Sequence, residues 1–139
     1  MDTSSMAAAA FRIAALGLLC SACTSIAADA RSFEETRWHV RAISGRATPA
    51  KGEYRMEFHG GSVNGRFGCN GFGGRYAVAG ERLVVREVRS TLMACSDPAA
   101  SFEGAGFAIL NQPMRLRWTS SRQVSLSNST GSIDLTLLP

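Results

Sequence analysis

The chain has 139 residues, 45% of them apolar and 19% charged, with a formal net charge of +4. That length holds one domain and leaves no room for a second core. The basic excess is carried almost wholly by arginines such as Arg41, Arg75 and Arg117, scattered with acidic residues among them, so the pattern is that of a solvated surface, and no nucleic-acid partner is expected.

Residues 1–30 read as a signal segment. Ala7 to Ala10 and Ile13 to Leu19 form an apolar stretch around Arg12, with no acidic residue between Asp2 and Asp29. Arg12, and then Ser21, Thr24 and Ser25, cut the apolar run short of the roughly 20 residues that span a bilayer. Both Met1 and Met6 are possible starts. Two ends compete. Ala28-Asp29-Ala30 places small residues at −3 and −1 of a cut before Arg31 and releases a soluble protein, whereas Ser21-Ala22-Cys23 offers a lipidation cysteine, with Cys20 standing where an aliphatic residue is wanted. The domain then runs from 31 to 139 and is exported, free in the periplasm or lipid-anchored to the envelope membrane through Cys23. Membrane attachment is expected only in the lipidated form.

From Thr36 onward the apolar period is mostly two. Tyr54, Met56 and Phe58 alternate with Arg55 and Glu57, and Met114, Leu116 and Trp118 with Arg115 and Arg117; Val124 and Leu126, then Ile133, Leu135 and Leu137, repeat the pattern. Turn residues fall between the runs at Ser44-Gly45, Pro49 to Gly52, His59-Gly60-Gly61, Ala79-Gly80-Glu81 and Asn128 to Gly131. The exception is 98–110, where Asp97 is placed to cap a helix, Pro98 to occupy its first position, and Phe102, Gly106 and Ile109 to form one face. The expectation is an α+β domain: seven or eight short antiparallel strands curled into a partial barrel, with one helix before the last three strands.

Chemistry-bearing residues are few. The segment Gly60 to Gly74 carries seven glycines, but a strand follows it instead of the helix that a phosphate loop requires. Glycine there is read as allowing bends and close backbone packing. Cys69 and Cys95 are the only cysteines beyond residue 30, and an even pair in an oxidising compartment reads as one disulfide. A bridged Cys69 cannot be a nucleophile with His39 or His59 as base. No metal is expected, since His39, His59, Cys69 and Cys95 lack ligand spacing, and no cofactor either. Asp97 and Glu103 form a conceivable carboxylate pair, but the cap explains the first and a solvated helix face the second.

Trp38 with Gly45, then GRFGCNGFGGRY from Gly65 to Tyr76, then STLMACSDP from Ser90 to Pro98 running into a helix, resembles the META domain family, whose bacterial members are called HslJ-like. The likeness covers Thr36 to Pro139. It implies a small β-rich exported or lipid-anchored domain, associated in some members with heat shock or envelope stress, without known catalytic residues and with its two cysteines bridged. The chain departs from the pattern at Gly71, where many relatives carry a bulkier or charged residue.

Two functional classes follow. One is a non-catalytic, monomeric protein-interaction or envelope-stability module that contacts an unidentified envelope protein through Asn70, Gly71, Phe72, Gly73 and Gly74, with Phe72 as either an exposed anchor or a core residue. The other is a carrier of an acyl chain or similar apolar ligand in a partly filled barrel. An uncharacterised hydrolase is a third class, with no catalytic residues to support it. The space left among Trp38, Phe58, Phe67, Phe102, Ile109 and Leu135 discriminates the first two.

Overall fold

The computed structural model describes residues 31–139, so the expected signal segment and both of its expected ends, Ala30 and Cys23, lie outside the described residues. The elements are β1 (Thr36–Ile43), β2 (Arg46–Ala47), β3 (Glu53–His59), β4 (Ser62–Gly68), β5 (Gly71–Ala79), β6 (Arg82–Ser90), α1 (Ala99–Leu110), β7 (Met114–Ser120), β8 (Gln123–Asn128) and β9 (Gly131–Leu137). Every strand pair is antiparallel, and β9 pairs back onto β1 from Trp38↔Leu137 to Ile43↔Ile133. Eight strands therefore close into a barrel, with β2 a two-residue extension on β1. The α+β expectation with one helix before the last three strands holds, and closure goes beyond the partial barrel that the alternation implied.

Tight turns set the registers. His59 pairs with Ser62 across Gly60 and Gly61, both at positive φ (57° and 72°), the backbone that a two-residue hairpin needs to match strand twist. The alternating apolar residues point inward, so Trp38, Val40, Met56, Phe58, Val63, Phe67, Leu126 and Leu135 are all essentially inaccessible. Each end of the barrel is then filled. At one, Phe33, which precedes the first strand, packs its ring 5.5 Å from Trp38, 4.8 Å from Phe58 and 5.5 Å from Trp118. At the other, α1 brings Phe102 5.5 Å from Tyr54, and Phe107 5.7 Å from Phe67 and 5.6 Å from Phe72.

The helix begins at Ala99, with Phe102, Gly106, Ile109 and Leu110 on its buried face. Pro98 occupies the N-cap position and not the first helical one; Asp97, one residue earlier, still accepts the Ser101 N–H at 3.1 Å and so satisfies one of the free amides of the first turn.

The glycine-rich segment from Gly60 to Gly74 is mostly strand. After the hairpin turn, β4 runs to Gly68 and β5 starts at Gly71, so only Cys69 and Asn70 lie between the two. Its glycines serve packing more than flexibility. A Cβ on Gly65 would lie 2.3 Å from the Arg55 carbonyl and 2.7 Å from the Phe72 ring, and one on Gly106 would lie 2.4 Å from the Phe67 ring. Gly104, on the same helix, faces open space.

These contacts sort the substitutions. Gly65→Ala and Gly106→Ala are expected to destabilise by about 1–3 kcal/mol through overpacking, whereas Gly104→Ala is expected to stabilise by about 1 kcal/mol through helix propensity. Urea denaturation of the three variants checks the order, and a destabilising Gly104→Ala would contradict it.

Candidate functional site

Asn70 is the one buried polar residue among those described, 4% exposed, at the corner between β4 and β5. Burying an amide is costly unless its groups find partners, and here each does. Its Oδ1 accepts the Met93 N–H at 2.7 Å and the Thr91 hydroxyl at 2.9 Å. Its Nδ2 donates to Glu103 Oε1 at 2.7 Å and to the Met93 carbonyl at 3.2 Å, and its backbone N–H donates to Glu103 Oε2 at 2.6 Å. Next to it Cys69 is disulfide-bonded to Cys95, with Cα atoms 6.2 Å apart. Strand corner, the 91–97 connection and α1 are thereby tied at one point.

One expectation changes here and one open choice is decided. Glu103 is not a solvated helix residue: both of its oxygens are held by Asn70, and it does not pair with Asp97, which bonds Ser101 instead. Of the two roles left open for Phe72, the structure shows the core one. Phe72 is 5% exposed, with its ring 4.8 Å from Phe67, because position 72 faces the barrel interior, opposite Gly65. Gly71 and Gly73 lie on the outer side of the same strand. Val78 and Leu138 are exposed elsewhere, but the two most exposed large apolar residues among those described lie together across the staple: Leu92 is 93% and Met93 54% exposed, on backbone that Asn70 holds at Met93. Sequence alternation could not find them, since 91–98 is neither strand nor helix.

A second outer feature is an open groove of about 330 Å³ across β4, β5 and β6, lined by Ser62, Asn64, Gly73, Gly74, Arg75, Glu87 and Arg89. Gly73 and Gly74, two of the residues expected to make a contact, form its floor.

The histidines do not meet each other. His59 instead lies with Glu35 and Glu34, their ligand atoms all within 4.8 Å of one another. His59 Nδ1 is 2.6 Å from Glu35 Oε1. Glu34 accepts the Gly60 and Gly61 amides and, at 2.5 Å, the Tyr76 hydroxyl. This carboxylate is thus committed to holding the segment that carries Phe33 against the β3–β4 turn. The hydrogen bond from Tyr76, followed by those from the two amides, lowers the pKa of Glu34 despite partial burial. The hydrogen bond and charge of Glu35 raise that of His59, and burial and then Glu34 push Tyr76 up to about 12. Cys69, Cys95 and Glu103 also lie within 4.8 Å, but both sulfurs are consumed by the disulfide.

The model of the META domain family matches residues 31–137. The chain belongs to the META domain family. This family is not a known enzyme family. No curated protein matches the chain. Two solved structures share its fold: an NMR structure of a protein from Burkholderia xenovorans, 22% identical with a TM-score of 0.64 over 76% of this chain and 83% of that one, and a second NMR structure, 17% identical with a TM-score of 0.65 over 74% and 89%. In this META domain the sequence blocks around Cys69 and Cys95 are the two halves of one stapled node.

Replacing both cysteines by serine is expected to cost about 3 kcal/mol in the chain-entropy model for a loop of this length. Asn70→Ala, which leaves Glu103 and the Met93 amide without their partner, should cost about 3 kcal/mol as well. Chemical denaturation of the oxidised protein checks both, and an Asn70→Ala variant as stable as the parent would refute the node.

The contacts of Glu34 and Glu35 with the β3–β4 turn have their own pH signature. The His59 pKa is raised in the fold, so its pairing with Glu35 is complete below 6.5 and is lost as pH climbs through the raised value. The Glu34 pKa is lowered, so its contribution is present above 4.5 and is lost as pH falls through the lowered value. Hydrogen exchange at Gly60 and Gly61 is therefore expected to be slowest between those limits, after correction for intrinsic rates. In an NMR titration Glu35→Gln should bring His59 back toward 6.5; an unchanged titration would rule out the pairing.

Proposed function

We propose that the chain is an exported, non-catalytic envelope domain that works as a protein-interaction module, presenting the stapled 91–95 segment to an apolar pocket on another envelope protein. The observation that carries this reading is the pair Leu92 and Met93, exposed on a rigidly held backbone. The node uses the Met93 N–H and carbonyl and the side chains of Thr91 and Cys95, and it makes no use of the Leu92 and Met93 side chains. Polar residues at both positions would satisfy the fold equally well, so their apolar character points to a contact outside the chain. A segment already fixed by a disulfide and Asn70 loses little entropy on docking.

The carrier reading is disfavoured by the packed interior. Trp38, Phe58, Phe67, Phe102, Ile109 and Leu135 are all buried, and a single added methyl at Gly65 or Gly106 would collide with an aromatic ring. The envelope setting is supported by the apolar stretch before residue 31, read as a signal segment, and by the disulfide, which suits an oxidising compartment. Intact mass of the protein from its native envelope would separate cleavage before Arg31 from lipidation at Cys23; an unprocessed chain in the cytosol would overturn the envelope assignment.

A photo-crosslinking residue placed at position 92 in living cells is expected to give a discrete adduct. The same residue at Arg117, exposed on β7, should not. The Met93→Ser change should reduce the adduct at 92 without lowering the melting temperature by more than about a degree or two, since an exposed side chain contributes little to stability. Equal, diffuse labelling from both positions would sink the interaction reading.

A further inference from the structure

The outer face of the barrel places arginines directly opposite one another three times, at Arg55↔Arg66, Arg82↔Arg115 and Arg75↔Arg86. Like charges facing across a strand pair destabilise it, and two of these pairs are relieved from within the chain. Glu53 lies 3.0 Å from Arg66 and 3.5 Å from Arg55, and Glu57 lies 2.7 Å from Arg55. Glu81 lies 3.5 Å from Arg115. Among the described residues no carboxylate forms an ion pair with Arg75 or Arg86, nor with Arg89, which faces Gly73 on the next register step. Of these three arginines, Arg75 and Arg89 line the groove over Gly73 and Gly74.

The groove is formed by the backbone itself. Glycine at 73 leaves the strand open to approach from outside, and a Cβ there would lie 2.8 Å from Asn64 Oδ1. At position 74 a Cβ would lie 2.9 Å from the Arg86 carbonyl and from Val85. Opposite Gly74 the partner strand takes an extra residue: Gly73 pairs with Arg89 and Arg75 with Arg86, so Glu87 and Val88 together face one glycine. Glu87 sits at positive φ (56°) in this bulge. Bulge and glycine together set Arg75 and Arg89 on the walls of a groove whose remaining polar wall is Ser62 and Asn64.

We propose that this groove is a binding site for a phosphate group, with Arg75 and Arg89 as its charged donors and Ser62 and Asn64 supplying neutral ones. Two guanidinium forks together with a hydroxyl and an amide suit a tetrahedral anion with several acceptor oxygens better than a planar carboxylate with two. Bound phosphate supplies the negative charge that Glu53 and Glu81 supply at the other two arginine pairs. Glu87, on the same wall, opposes the anion and limits its affinity.

The test is an amide NMR titration of the disulfide-bonded 31–139 domain with inorganic phosphate, at ionic strength held constant with chloride. Saturable shifts are expected at Asn64, Gly73 and Gly74. They should weaken by about tenfold or more in the Arg75→Gln, Arg89→Gln double variant and be retained in an Arg41→Gln, Arg117→Gln double variant of equal net charge. Glu87→Gln should tighten binding. Sedimentation with phosphatidylcholine vesicles, with and without phosphatidic acid, identifies the source of the phosphate. Binding to the phosphatidic acid vesicles that depends on Arg75 and Arg89 assigns a lipid headgroup, and binding of free phosphate alone assigns a soluble phosphate ester. Shifts that spread over all arginine-bearing strands and fall equally in both double variants would overturn the proposal, as would the absence of binding to either probe.

Discussion

Between β6 and β7 the barrel wall has almost no ladder of its own. The two strands share only Arg82↔Arg115 and Leu83↔Met114 before they part, and the rest of that side is left to the 91–98 connection and α1. Backbone groups there cannot rely on a neighbouring strand, and the helix, with two glycines, is weak by propensity. What holds this side closed is the corner at Cys69 and Asn70. The disulfide fixes the connection at Cys95, the Asn70 amide fixes it at Thr91 and Met93, and Glu103 brings the helix to the same amide. Without that corner, Phe102 and Phe107 would have no fixed place over the end of the core, and the closure of β9 onto β1 would enclose an unsealed interior.

The sequence revealed the barrel more readily than its corner. Strand positions were legible because each has one wet and one buried face, so period-two alternation survives in the side chains; the hairpin turns were legible because positive φ selects glycine. Closure was not, since nothing in an edge strand's own sequence names β1 as the partner of β9. Phe33 escaped for a related reason: it plugs the barrel from irregular backbone, where no period marks it. Close packing at the glycine-rich segment was legible from its composition, but not which ring each glycine admits: the missing methyl at Gly65 makes room for Phe72, and that at Gly106, on the helix, for Phe67. The disulfide was legible from cysteine arithmetic. The partnership of Asn70 with Glu103 was not, because 33 residues separate them and an acidic residue on a helix ordinarily faces water.

The same constraint explains where recognition is possible on this domain. An interior filled from both ends leaves the outer surface to do the work, and the outer surface is rigid in two places for different reasons. At the 91–95 segment rigidity comes from covalent and hydrogen-bonded ties between distant parts of the chain. At the groove it comes from the sheet, where a bulge at Glu87 opposite Gly74 re-aims the arginines of β5 and β6. One surface is apolar and small, the other cationic with a backbone floor, so they suit different ligands and need not compete.

A rigid surface matters most for small contacts. Leu92 and Met93 together bury far less on docking than the roughly 800 Å² a side of a standard protein interface, so they can contribute useful affinity only if little is lost in ordering them. The backbone ties at Met93 remove that loss before any partner arrives, because the main chain is already immobile and only the two side chains remain to be fixed. The staple therefore has a consequence beyond stability: opening the 69–95 disulfide would leave Leu92 and Met93 in place in the sequence while restoring the freedom that docking must remove. On the proposed interaction reading, stability and recognition depend on the same two residues, Cys69 and Asn70, whose ties hold the backbone beneath the exposed apolar pair.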